Sequence, residues 1–199
     1  MLLHIWGLLT DTEQEWRAIH GRHYTIGRLY LSLFLFLALI PPLCGYIGTT
    51  QVGWQIGLGA AVKLSHRSAM MIAVLYYLAI LVGIGGIGAM IHWMTRTYGA
   101  EQPLAQCVAL GAFAGIPLLL VGVVQLYPLL WLNLLFGMAA LALNVRLLFV
   151  GVPIMMEIPP ERGFLFASAI LGLGLVALVA FLAGTAILWD FGLAPEFVR

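Results

Sequence analysis

Charge is scarce in this sequence. Of 199 residues only 9% are Asp, Glu, Lys or Arg, where a soluble domain carries about 25%, and that shortage excludes an ordinary water-facing globule. With 9 basic and 8 acidic side chains the net charge is +1, so the basic footprint that nucleic-acid binding needs is missing. Cysteine is nearly absent too: Cys44 and Cys107 sit in apolar runs, outside any C-x-x-C or His-rich pattern, which leaves no disulfide framework or zinc site. Both are expected to pack as small hydrophobes. There is no G-x-S-x-G, no H-E-x-x-H, no phosphate loop and no pair of intramembrane carboxylates, hence no catalytic constellation. His20 and His23 stand at the spacing of two metal ligands, but His4, His66 and His92 are scattered and supply no third. The expectation is a non-enzyme without cofactor or metal. The opening MLLHIWGLL lacks a basic region and a small-residue cleavage site, so no cleaved signal peptide is expected.

What the chain has is apolar length: 63% hydrophobic residues and a mean hydropathy of +1.05. A helix needs about 20 mostly apolar residues to cross the bilayer, and five segments qualify, roughly 28–48, 68–94, 104–126, 128–152 and 164–188. The breaks have chemical causes: Gly99, Glu101, Gln102 and Pro103, then Glu157 to Gly163, with only QLYP at 125–128 turning the third span into the fourth. The fold class is all-α: a polytopic membrane protein of five transmembrane helices with an N-terminal amphipathic interfacial helix. An odd count puts the termini on opposite sides. Arg17, Arg22, Arg28, Arg96, Arg146 and Arg162 then share one side against Lys63, Arg67 and Arg199, which favours a cytoplasmic N-terminus. Trp93, Tyr127 and Trp189 fall where aromatic belts form.

Residues 1–27 form the arm, 28–188 the membrane domain and 189–199 a short outer tail. In the arm TDTE, Thr10 to Glu13, reads as a capping box, with Trp16, Ile19 and His23 on one face of the helix that follows. It is read as lying on the membrane surface; a helix docking on a protein partner is the alternative. In the loop 48–67, small residues recur every fourth position from Gly53 through Gly57, Ala61 and Ser65, as a helical stripe or as an ordered loop with Trp54 dipping into the interface. Small-residue contact faces are expected at Cys107, Gly111 and Gly115, at Ala79 with Gly83, at Gly85 with Ala89, and at Ala180 with Gly184. Pro41, Pro42, Pro117 and Pro153 mark kinks or ends of spans.

Arg146 is the permanent cation in LNVRLLFVGVPIMMEIPPERG, 143–163. Were its helix to end near Val152, Arg146 would lie under two turns from the end and could snorkel to headgroups. Alternatively it faces the bundle and holds an anionic substrate or lipid headgroup. Asn133 and Asn144, 11 residues apart, share a face, and Arg146 points about 160° away from Asn144. Asp190 falls at the opposite interface. Glu157 and Glu161 are on the right side to pair with Arg146 or Arg162 and pin the loop.

WGLLTDTEQEWRAI, IGTTQVGW, the AGIP of Ala114 to Pro117, LYPLLWL and LLFVGVPIMMEIPPERG, in that order, resemble the Yip-domain proteins, in particular their small bacterial inner-membrane members. The resemblance covers the chain and implies a five-pass protein with a cytoplasmic N-terminus. Pro117, Gly151, Pro153, Glu161 and Arg162 match the family pattern and look like fold-defining turns, whereas Arg146 stands where that pattern has an uncharged residue. The expectation is a bacterial inner-membrane protein, its C-terminus periplasmic, acting through membrane lipids, other membrane proteins or its own copies. A small transporter or channel, framed by the kinks and Arg146, is the alternative.

Overall fold

The computed structural model describes residues 7–8, 10–22, 24–54, 61–189 and 196–198. The expectations placed on His4, His23, Gly57, Asp190 and Arg199 lie outside them. Helix α1, Thr12–His20, is amphipathic, with Trp16 and Ile19 fully buried. Its start is one residue later than TDTE suggests: Asp11 is the N-cap, its carboxylate accepting from the Gln14 amide at 3.3 Å. Glu13 instead pairs with Arg17 along the helix.

The first span is discontinuous. It runs as α2 (Ile26–Leu29), a π segment (Tyr30–Phe34), α3 (Leu35–Leu37), α4 (Ile40–Ile47) and a second π segment (Gly48–Val52). Pro41 and Pro42 occupy the first turn of α4 and are buried, where a missing N–H costs least. After it Trp54 pairs with Val62, and β1 (Lys63–Leu64) pairs antiparallel with β2 (Phe197–Val198). The described parts of this loop therefore form an ordered, bridged segment, not a helical stripe.

Helix α5, His66–Thr95, is the second span, capped by Ser65 and finished by a 3₁₀ turn, Arg96–Tyr98. The third is α6 (Leu104–Ala114), α7 (Ile116–Leu120) and a 3₁₀ segment (Val121–Leu126), bent by 45° at the break. Helix α6 is apolar almost all round and buried from Gln106 to Leu110, as suits the central helix of a bundle. Helix α8, Leu130–Met156, is the fourth span and α9, Pro160–Leu188, the fifth. Four helical segments are long and apolar enough to cross a membrane, and the bent pair, counted as one broken span, makes a fifth.

Pro153 does not end the fourth span. Helix α8 runs through it to Met156 and stops at Glu157, which adopts the left-handed conformation with φ 53°. The proline ring faces Gly163, where a Cβ would come within 2.9 Å of it, so α9 can start close against α8. Helix contacts form both on and off the expected small-residue stripes, with a Cβ at Gly85 coming within 2.9 Å of the Tyr30 hydroxyl. Added Cβ atoms would collide with Val108 at Gly88, with Pro41 at Gly122 and with Trp16 at Gly151, while Gly83 and Gly184 have nothing within 4 Å. Gly111 does pack, on Ile87 and Ile91.

Candidate functional site

The three polar residues of α8 do not converge. Asn133 donates to the carbonyls of Tyr127 and Leu129, at 2.9 and 3.0 Å, and ties down the turn that enters the helix. Asn144 donates to the Ala114 carbonyl at 2.8 Å. Arg146 is exposed on the outside of the bundle, ten residues short of Met156, about 15 Å along the helix. That is farther from the helix end than the proline suggests, and it is not the interior-facing position.

Asn144 borders a cavity of about 640 Å³ inside the membrane domain, framed by α5, the α6–α7 break, α8 and α9. Its wall is aliphatic apart from that one amide, with Gly115, Gly137 and Gly174 making room. Helix α9 packs along α8 and touches the 3₁₀ turn after α5, and much of its later half, from Leu175 to Ile187, is exposed. Two residues of the cleft wall, Leu175 and Leu178, belong to that exposed stretch.

The breaks in the spans expose backbone carbonyls, which in hydrocarbon must find donors. At the α6–α7 break the Leu118 amide turns to Gly115 O rather than Ala114 O, and Asn144 fills the vacancy. In the first span the Leu39 amide goes to Phe36 O, and the Tyr77 hydroxyl donates to Leu35 O at 3.2 Å. These two orphaned carbonyls are each satisfied from a neighbouring helix.

A second polar group lies where α1 meets the bundle. Trp16 fits over Gly151. One turn on, His20 Nε2 donates to Glu157 Oε1 at 2.9 Å, and buried Gln106 donates to His20 Nδ1 at 2.7 Å. This pattern assigns His20 the Nε2–H tautomer. Gln102 donates its side-chain amide to the other Glu157 oxygen at 3.2 Å, and its carbonyl accepts from His92 Nδ1 at 3.1 Å. Cys107, buried, sits 4.0 Å from the same His92 nitrogen. Glu157 is thus paired with His20 and Gln102, and not with Arg146 or Arg162 as the sequence suggests. Glu161 lies in the first turn of α9, where its charge favours the helix dipole, and the Arg162 guanidinium lies over Gly99. Among the described residues no three His, Cys, Asp or Glu side chains converge on a metal position. Sequence reasoning missed this network because His20 and Glu157 are 137 residues apart; the available signal was Gln106, an amide in an otherwise apolar helix.

The spans, the satisfied breaks and the aliphatic cleft define an α-helical integral membrane protein. The Yip1 domain model matches residues 6–181. The chain is also 40% identical over 189 residues to the inner membrane protein YohC of Escherichia coli strain K12, covering 95% of this chain and 97% of that one. The protein of the same name from E. coli O6:H1 strain CFT073 matches equally. The chain belongs to the Yip1 domain family. No solved structure matches it.

Proposed function

We propose that the protein is a non-enzymatic component of the bacterial inner membrane that acts by holding lipid acyl chains within its helical bundle, and so organises the membrane around it. The observation that carries this reading is the aliphatic cleft of about 640 Å³ between α5 and α9, whose lining residues Leu175 and Leu178 are exposed. Such a space matches the range of about 300–1,000 Å³ typical of ligand sites, and its lining offers chain packing and almost no polarity. The relatives named as inner membrane proteins support the location. Arg17, Arg22, Arg28, Arg96 and Arg162 gather at the α1 end, against Lys63 and Arg67 at the other, which supports placing α1 in the cytoplasm. The exposed half of α9 offers a face for other membrane proteins or a second copy.

One observation favours a small transporter instead: the first and third spans are both broken and pack on each other, and discontinuous helices mark binding sites in transporters. Against it, the carbonyls released at Leu35 and Ala114 are consumed by Tyr77 and Asn144 and are not left for an ion. The test is a Gly137→Cys variant in a Cys44→Ala, Cys107→Ala background, treated with a membrane-impermeant thiol reagent from each side in turn. The lipid reading expects no labelling from either side. Labelling from both would mean a water path through the cleft and would replace it with the transporter.

A further inference from the structure

A second cavity, of about 770 Å³, lies at the end of the bundle opposite α1. It is made by different elements from the cleft: the α4 end of the first span, the bridged loop, the start of α5, Gln125, and the chain's end at Trp189 and Phe197. Small residues, Ala69 and Ala73, line its α5 wall, and Gln125 lies against Gly45 on the other side. Polar side chains of the cavity wall are already engaged, Thr49 donating to the Gly45 carbonyl at 2.7 Å. Gln125 donates to the Tyr76 hydroxyl at 3.2 Å, and Tyr46 meets His66 Nδ1 at 3.1 Å. The interior therefore suits a hydrocarbon chain and offers no buried charge to hold a polar solute.

The mouth has a different character. The segment that contributes Val62 and Leu64 to the wall also carries Lys63, His66 and Arg67, all exposed. Among the described residues neither Lys63 nor Arg67 has a carboxylate partner. The acid described nearby, Glu196, is anchored at the strand pair through its backbone: its carbonyl accepts from the Ser65 amide at 2.9 Å and its own amide donates to Ser68 Oγ at 3.2 Å. The Ser65 hydroxyl lies 3.5 Å from its carboxylate. Trp54 and Trp189 line the same cavity, and tryptophan favours the level of lipid headgroups.

We propose that this cavity takes one acyl chain of an anionic phospholipid, whose headgroup phosphate sits against Lys63, His66 and Arg67. The inference deepens the lipid reading at a separate site. An apolar cavity with a cationic rim selects a molecule with one apolar and one anionic end, and the rim charges account for the choice over a zwitterionic lipid.

The test uses the whole protein in phosphatidylcholine vesicles doped with phosphatidylglycerol that carries a photoactivatable group on one acyl chain. Parallel samples carry the same chain on phosphatidylcholine or as the free fatty acid. Adducts are mapped by peptide mass spectrometry. The expected result is labelling of the Pro42–Trp54 and Val62–Tyr76 peptides, strongest with phosphatidylglycerol. Lys63→Gln and Arg67→Gln, surface changes that leave the packing alone, should each lower that preference by roughly fivefold. Ala73→Phe should remove the labelling while leaving adducts in the Gly115–Leu118 stretch of the interior cleft. Equal labelling by both phospholipids, insensitivity to Ala73→Phe, or stronger labelling by the free fatty acid would each overturn the proposal. The cleft adducts report on the first site separately, so either site can fail without the other.

Discussion

Asn144 on α8 donates its side-chain amide to the Ala114 carbonyl on α6 at 2.8 Å, at the point where the third span bends by 45°. The bend leaves that carbonyl without its usual helical donor, because Leu118 bonds to Gly115. The bond adds a polar tie between two helices that already pack on each other, at a carbonyl for which hydrocarbon supplies no other donor.

Asn144→Leu should destabilise the protein by about 1–3 kcal/mol, the cost of stranding a buried carbonyl. Thermal unfolding in detergent reads this as a lower midpoint. Asn133→Leu, at a turn beside exposed Tyr127, should cost less, because water can reach those carbonyls.

Arg146→Gln should leave stability within about 0.5 kcal/mol of the parent, as for exposed positions outside any network. The same thermal measurement checks it. A large loss would give Arg146 a partner that the described residues do not contain.

Gly151→Val should push α1 off the bundle, since even a Cβ there would come within 2.5 Å of the Trp16 ring. Overpacking of this kind costs about 1–3 kcal/mol. The readout is faster tryptic cleavage at Arg17 and Arg22. Gly83→Val, with nothing within 4 Å of the added Cβ, should leave that cleavage rate unchanged.

Glu157→Ala should speed the same cleavage by removing the partner of His20 and Gln102. Glu157→Gly should be milder than Glu157→Ala for the backbone, because φ is 53° there and glycine tolerates that region.

The spans were legible in the sequence because hydrocarbon thickness and backbone hydrogen bonding leave a long apolar run little choice but a helix. Where each helix touches its neighbours was less legible. Gly83 and Gly184 sit in four-residue small stripes and Gly88 and Gly122 do not, yet it is Gly88 and Gly122 that meet a neighbour, because contact depends on which side of a helix the neighbour occupies, and that is a tertiary fact. Pro153 misled in a related way. Proline usually ends a helix through a lost bond and a clash, but here Gly163 makes room for its ring and the helix continues to Met156. That extension moves Arg146 away from the helix end, and it delivers Glu157 to His20. Asn144 was visible as a polar residue in a span. Its role was not, because the carbonyl it serves is freed by a bend in another helix.

The most direct test is lipid retention measured by native mass spectrometry of the protein released from detergent. Gly137 and Gly174 both line the cleft and have nothing within 4 Å of an added Cβ, so Gly137→Leu with Gly174→Leu fills the space without disturbing the packing. The parent and a Gly83→Leu control should carry bound phospholipid that the doubly filled variant loses. Equal lipid on all three, with the fold intact, would contradict the cleft as a lipid site.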